Sequence, residues 1–260
     1  MIMGNDDLLA DGALSKIVKV LKANPEIVLA TRAYGWFKEN PNELCDTVRH
    51  LTDDTLFQPG ADAIKFFFRR VGVISGFIVN AEKAKKLSSD LFDGRLYYQM
   101  YLAGMLMAEG QGYYFSDVMT LSRDTEAPDF GNAGTEKGVF TPGGYKPEGR
   151  IHMVEGLLLI AKYIEDTTKI DGVYAGIRKD LANYFYPYIR DQLDLPLYTY
   201  IKMINKFRKM GFSNEKLFYV HAFLGYVLKR RSYDALIKYI RSKKAVLRVL
   251  VFNLHFQKML

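Results

Sequence analysis

The hydrophobic pattern at the start of the chain predicts an amphipathic helix followed by strands. Apolar residues recur there at i, i+3, i+4 and i+7, the spacing of one helix face. These residues are Leu14, Ile17, Val18 and Leu21. Asp11 is the candidate N-cap, and Asn24 marks the expected end, because Pro25 disfavours helix in the residue before it. The mostly apolar segment Glu26–Lys38 then predicts one or two strands.

Helices and strands continue to alternate up to residue 122. Strands are predicted over Asp46–Leu51, Val73–Val79 and Tyr113–Ser122. Helices are predicted over Ala61–Arg70 and Arg95–Glu109. A mixture of this kind is typical of layered α/β folds.

Residues 124–149 differ from the rest of the chain, because three prolines and six glycines fall within them. They predict a long loop, which in a compact domain tends to be functional or disordered. From Ile151 onward only helical patterns follow. The sequence thus predicts three segments: an α/β part over 1–122, a mobile loop over 123–150 and an all-helical part over 151–260.

Composition indicates a globular chain whose charge is unevenly placed. Apolar residues make up 49% of the chain. The single cysteine, Cys45, excludes a disulfide framework, indicates a reducing compartment and lacks the partners of a nucleophile. Residues 200–260 contain 14 Lys and Arg against Glu215 and Asp234, whereas the remaining residues carry 22 basic and 27 acidic side chains. An acidic front and a basic tail indicate two surfaces with different partners.

The basic tail has three interpretations. Its segments KLFYVHAFLGYVLKRR and YIRSKKAVLRVLVFNLHFQK combine apolar faces with Lys and Arg, as helices that lie on a membrane surface do. A basic surface is also the electrostatic footprint of nucleic-acid binding, but no nucleic-acid-binding motif accompanies it. The third interpretation is a solvated helical face without a partner.

Two adjacent acids follow an apolar run in the motif GNDD, which spans Gly4–Asp7 and precedes the first predicted helix. Carboxylates at the end of a strand can hold a hard divalent cation, and magnesium typically takes one or two carboxylates together with phosphate oxygens. The alternative is that the acids simply favour the positive end of the helix dipole.

The surrounding sequence resembles the family 2 glycosyltransferases, which are inverting enzymes of the GT-A fold. The segment MIMGNDDLLADGALSKIVKVLKANPEI is similar to the family's Asp-x-Asp region, in which an apolar strand ends in the acids and a helix follows. A second match is ISGFIVNAEKAKKL followed by LFDGRLYYQMYLAGMLMAEGQGYYF, which puts Asp93 at the family's Asp position and Ala103-Gly104 at a helix end. The matches cover residues 1–122 and are most similar to the abequosyltransferase-like subgroup.

The resemblance implies a role for several residues of this chain. They are metal ligands Asp6 and His152 for Mg²⁺ or Mn²⁺, donor or acceptor contacts Asp7, Gly76 and Gly94, and the catalytic base Asp93. Two positions depart from the family pattern, since Gly4 replaces the first Asp of the motif and Phe92 replaces a Glu. For His152 the alternative is a packing residue, and for Asp93 it is a plain helix N-cap.

The aromatic residues near these motifs also have two interpretations. Trp36, Tyr97, Tyr98 and Tyr101 are candidates for stacking on a sugar ring. Aromatic residues at this spacing more often belong to a hydrophobic core.

The expected fold is a partial GT-A sheet layer followed by an all-helical region. The expected activity is transfer of a hexosyl or deoxyhexosyl group from a nucleotide diphosphate donor to a saccharide or lipid-linked acceptor in bacterial surface polysaccharide synthesis. The family's nucleotide-binding half would precede residue 1, so we expect a fragment that binds such donors poorly by itself. The expected location is cytoplasmic, at the inner face of the membrane through residues 200–260, with no nucleic-acid partner. The competing hypothesis is a non-enzymatic membrane-surface or interaction protein.

Overall fold

A computed structural model describes the backbone of residues 1–124, 137, 140 and 145–256, and the side chains of these residues up to 240. The chain divides into two compact units, Met1–Leu181 and Ala182–Leu260. The first unit is mixed α/β and the second is helical. The predicted α/β class with a helical C-terminal region is therefore confirmed.

The first unit is built on a mixed sheet, whose described strands are β1 Leu8–Leu9, β2 Ile27–Phe37, β3 Leu44–Val48, β4 Thr55–Phe57, β5 Ile78–Val79 and β6 Gln111–Arg123. The long strands β2 and β6 run parallel at its centre. The shorter strands are antiparallel to them: β1 and β4 pair with β6, and β3 and β5 pair with β2. Nearly every residue of β2 is buried, as expected for a strand that is covered on both faces.

The helices of this unit are α1 Ala13–Ala23, α2 Ala61–Arg70, α3 Ala81–Lys86, α4 Tyr98–Glu109 and α5 Pro147–Thr168, and α6 Val173–Asn183 begins within it. Helix α4 packs against α2 and α5. The crossing with α5 is close, because a Cβ on Gly104 would lie 2.2 Å from Cδ1 of Ile164. The first unit therefore includes α5.

The second unit contains α7 Tyr186–Ile189, α8 Leu197–Lys209 and α9 Lys216–Phe256. Its core is aromatic, since the ring of Phe185 lies 4.8–5.0 Å from those of Phe207, Phe212 and Phe218. Helix α9 is kinked at Lys229 (φ 59°, ψ 171°). No helix in the described part of the chain is long and apolar enough to cross a membrane.

Several predicted elements match the structure closely. Helix α2 has its predicted bounds, α1 ends one residue before Asn24, and the segment Glu26–Lys38 forms the single strand β2. Strand β6 extends the predicted strand by one or two residues at each end. Most of the predicted loop over 123–150 lies outside the described residues, so that part stays a prediction. Its last four residues, from Pro147, already belong to α5, so the predicted end of the loop was wrong.

Other predictions about the elements were wrong. Gly12, not Asp11, is the N-cap of α1, and it makes no side-chain capping bond. Of the predicted apolar face, Leu14 and Val18 are 56% and 41% exposed. The strand predicted over Val73–Val79 is reduced to β5, because a turn with positive φ at Gly76 interrupts it.

Three further bounds differ from the prediction. Strand β3 spans Leu44–Val48 instead of Asp46–Leu51, and β4 was not predicted. Helix α4 begins at Tyr98 instead of Arg95. It ends at Glu109, as the pattern predicts, so Gly104, which the resemblance puts at a helix end, lies inside the helix at the crossing with α5.

Candidate functional site

The GNDD segment lies against the turn that contains Gly76, although the two are far apart in sequence. The backbone of Ile2 pairs with Phe77 and Gly76 through two hydrogen bonds of 2.8 Å. The backbone N–H of Gly4 donates to Oγ of Ser75 at 2.7 Å, across 71 residues. The two segments that the sequence singled out are therefore direct neighbours.

Three side-chain oxygen atoms lie close to Gly4. A Cβ placed on this glycine would lie 3.0 Å from Oγ of Ser75, 3.1 Å from Oδ2 of Asp7 and 3.3 Å from Oδ1 of Asp6. The other oxygen of Asp7 accepts a hydrogen bond from the backbone N–H of Arg123 at 2.8 Å, which fixes that carboxylate. We call this arrangement of Gly4, Asp6, Asp7 and Ser75 the Gly4 cradle.

The strand that was expected to precede the acids is not present. Ile2 forms an isolated bridge with Phe77, and the residues that follow make a turn through Asp6 before β1 begins at Leu8. Met1 and Ile2 are 47% and 38% exposed, so they do not form a buried strand. The prediction that Asp6 ends a β-strand was wrong, and its carboxylate is presented by a turn.

A buried arginine lies beneath the Gly76 turn. Arg32, in the middle of β2, is 1% exposed. Its Nε donates to Oγ1 of Thr120 at 2.9 Å and its Nη1 to the carbonyl of Val73 at 3.2 Å. A Cβ on Gly76 would lie 2.5 Å from Nε of Arg32, and the φ of Gly76 is +79°. Both the space and the backbone conformation therefore require glycine at position 76.

Burial lowers the pKa of Arg32 to about 10, because desolvation disfavours the charged form. Tyr34, Asp7 and Tyr114 oppose this shift electrostatically. The guanidinium remains charged at neutral pH, so the site has a buried positive charge in addition to its two carboxylates.

Asp93 lies in a different turn of the same unit. Its side chain is exposed, and its backbone N–H donates to the carbonyl of Asp90 at 2.9 Å. The turn ends before α4, whose N-cap is Tyr97. Asp93 therefore does not begin a helix, and the N-cap interpretation does not apply to it.

His152 is adjacent to this second turn. Its Nε2 lies 3.4 Å from the carbonyl oxygen of Gly94, and its Nδ1 lies 3.0 Å from Nη1 of Arg95. The same Nη1 donates to Oε2 of Glu155 at 2.9 Å. Helix α5 thus holds the Gly94–Arg95 segment through His152 and Glu155.

The two turns do not combine into a cluster of metal-binding side chains. Among the described residues there is no group of three or more His, Cys, Asp or Glu that would hold a metal ion. The described contacts of His152 are with Gly94, Arg95, Glu155 and Phe140. Whether His152 and Asp6 share a metal stays a prediction.

The aromatic candidates for sugar stacking differ in exposure. Tyr101 is 4% exposed and packs against Phe92 and Tyr163, at ring distances of 5.2 and 5.9 Å, so it belongs to the core. Tyr97 adopts a positive φ of 73°, and burial raises the pKa of its hydroxyl to about 12. Trp36 is half-buried, with its ring edge-on to Tyr34 at 5.7 Å.

Sequence reasoning missed Ser75 and Arg32 as site residues. A signal for Arg32 is present, since it is a charged residue within the apolar run IVLATRAYGWF. Comparison of the chain with protein-family models, curated proteins and solved structures found no match.

Proposed function

We propose that this chain is an inverting glycosyltransferase of the GT-A type, similar to the abequosyltransferase-like members of family 2. It would transfer a hexosyl or deoxyhexosyl group from a nucleotide diphosphate donor to a saccharide or lipid-linked acceptor. The observation that carries this proposal is the Gly4 cradle, in which oxygens of Ser75, Asp7 and Asp6 lie within 3.0–3.3 Å of the position that a Cβ on Gly4 would take.

The oxygens of the cradle fit Mg²⁺ or Mn²⁺. Asp6, Asp7 and Ser75 offer hard oxygen donors, and magnesium is usually bound through one or two carboxylates with the substrate's phosphates completing its shell. Gly4 keeps the space between these oxygens free of a side chain. When bound, the metal would neutralise the charge of the leaving diphosphate.

Asp93 is the carboxylate that we propose as the base for the acceptor hydroxyl. Its side chain is exposed, and Gly94 beside it has no side chain to obstruct an acceptor. The contacts of His152 and Glu155 with the Gly94–Arg95 segment position this turn from α5. An ionised Asp93 would take the hydroxyl proton as the acceptor oxygen attacks the sugar.

A second candidate function, a non-enzymatic membrane-surface protein, is favoured by the second unit. Its helix α9 leaves large apolar residues exposed, including Phe223 at 67% and Val227 at 59%. The same surface would serve a peripheral transferase at the inner face of the membrane, acting on a lipid-linked acceptor. Metal binding by the Gly4 cradle separates the two candidates.

The test measures Mn²⁺ binding to the whole chain by electron paramagnetic resonance, in which binding reduces the signal of the free ion. We expect the wild type to bind one ion at the Gly4 cradle. Asp6→Asn removes a ligand, and Gly4→Ala fills the cradle with a methyl group at 3.0–3.3 Å from the three oxygens. Each change should weaken binding by about 10- to 100-fold, as perturbed metal sites do.

Asp11→Asn is the matched control, because Asp11 is an exposed carboxylate in the turn just before α1. We expect its Mn²⁺ affinity to equal that of the wild type. If the wild type binds no Mn²⁺, or if Asp6→Asn and Asp11→Asn bind it equally well, the transferase proposal fails. The membrane-surface protein would then be the better account.

A further inference from the structure

Arg32 is an unusual residue to find in a buried strand. It is 1% exposed, yet its Nη2 has no hydrogen-bond partner, and the buried Oγ of Ser122 has none either. Burying a charge and leaving polar atoms unpaired are both costly. Packing alone does not explain such an arrangement, because an apolar side chain would fill this position without the cost.

The segments next to Arg32 and Ser122 also supply or hold residues of the Gly4 cradle. Gly76 lies against Nε of Arg32, and the preceding residue, Ser75, contributes its hydroxyl to the cradle. On the other side, Thr120 and Ser122 project from the same face of β6, since side chains alternate along a strand. The next residue, Arg123, holds Asp7 through its backbone N–H.

The formal charges show what Arg32 does to the site. Asp6 and Asp7 contribute −2 and Arg32 contributes +1, so the cradle with a divalent ion carries +1, whereas without Arg32 it would be neutral. A positive charge in a poorly screened interior acts strongly on nearby ions. It repels a bare divalent cation and attracts the diphosphate anion of a metal–diphosphate complex.

We propose that Arg32 makes the Gly4 cradle selective for a metal–diphosphate complex over a bare divalent cation. This inference rests on the proposed function and adds a specificity-determining residue to it. Arg32 acts through its charge and touches neither ligand. Its second role is to hold the Val73–Gly76 turn that supplies Ser75.

The experiment compares two affinities in the whole chain: Mn²⁺ alone, by paramagnetic resonance, and inorganic diphosphate in excess Mg²⁺, by calorimetry. Arg32→Gln removes the charge and keeps a hydrogen-bonding side chain, and Arg32→Lys keeps the charge. We expect Arg32→Gln to bind Mn²⁺ more tightly and diphosphate more weakly, each by roughly tenfold. Arg32→Lys should stay close to the wild type in both affinities.

Opposite changes in the two affinities are the signature of a charge effect. If Arg32→Gln weakens both affinities, Arg32 is only structural, and if it changes neither, its charge does not reach the cradle. Either result overturns this inference while Mn²⁺ binding by the wild type leaves the proposed function standing. Absence of Mn²⁺ binding in the wild type overturns both.

A second variant tests the same charge without altering Arg32, in case Arg32→Gln fails to fold. Asp6→Asn combined with Asp7→Asn neutralises the turn and leaves the buried cation in place. We expect it to bind inorganic diphosphate without metal several-fold more tightly than the wild type, in a salt-sensitive way. Equal or weaker binding by this variant would overturn the inference.

Discussion

At the scale of single residues, His50 lies near three arginines, whose charges disfavour its protonation. Desolvation, followed by the charges of Arg70, Arg69 and Arg32, lowers its pKa to about 3, and Asp180 opposes this only weakly. The folded protein therefore keeps His50 neutral down to a pH at which an unfolded chain has already protonated it.

The expected consequence is an acid-sensitive stability. Between about pH 6.5, the ordinary histidine value, and pH 3, the unfolded state binds the proton and the folded state does not. The free energy of unfolding should therefore fall as the pH falls through this window, by up to about 1.4 kcal/mol per pH unit. Urea unfolding at pH 7, 6 and 5 should show a shallower slope for His50→Gln than for the wild type. Parallel slopes for the two proteins would contradict the prediction.

The Gly4 cradle shows which kinds of residue can be identified from the sequence alone. The sequence singles out Asp6 and Asp7 of the cradle and the neighbouring Gly76, because each belongs to a short motif whose spacing is local. Ser75 cannot be identified in this way, because its hydroxyl meets Gly4 only after Ile2 has paired with Phe77. A role that depends on pairing between distant segments leaves no local pattern.

At the scale of elements, the contact between α4 and α5 depends on Gly104. A methyl group there would lie 2.2 Å from Cδ1 of the buried Ile164. We expect Gly104→Ala to lower the free energy of unfolding by about 1–3 kcal/mol, since overpacking outweighs the gain in helix propensity. Chemical denaturation of the whole chain measures this.

Gly156→Ala is the matched control, because Gly156 is also a helical glycine but its added Cβ would meet Arg95 at an ordinary 3.4 Å. It should be neutral or slightly stabilising. Ile164→Val removes Cδ1, so it should cost less in the Gly104→Ala protein than in the wild type. Equal costs in both backgrounds would show that the two side chains do not interact.

The elements that the sequence predicts best are those with long, regular patterns. Helix α2 and strand β6 are of this kind, and their predicted bounds agree with the structure within two residues. Strand β5 and helix α3 are too short to produce a period. Helical spacing identifies an apolar face, but only packing decides which part of it is buried. In α1, Ile17 of the predicted face is buried together with Ala13, whereas Leu14 and Val18 are exposed.

At the scale of the whole molecule, the uneven charge and the exposed apolar residues coincide in the second unit. Residues 200–260 contain 14 basic residues and only two acids. In α9, Val220, Phe223 and Val227 are 44%, 67% and 59% exposed. An apolar face with basic flanks is the pattern of a helix that lies in a membrane interface. We expect the chain to bind vesicles of anionic lipid and to bind neutral vesicles weakly.

Co-sedimentation tests this prediction and separates the electrostatic from the apolar contribution to vesicle binding. Raising the salt from 0.1 to 1 M shortens the screening length from about 10 to 3 Å, so binding to anionic vesicles should fall steeply. Phe223→Ser with Val227→Ser should weaken binding at both salt concentrations, because each side chain loses apolar burial. Leu14→Ser is the control, since Leu14 is 56% exposed in the first unit. Equal recovery with anionic and neutral vesicles, unchanged by salt, would identify the basic tail as a solvated surface, because neither electrostatic attraction nor apolar insertion would then be acting.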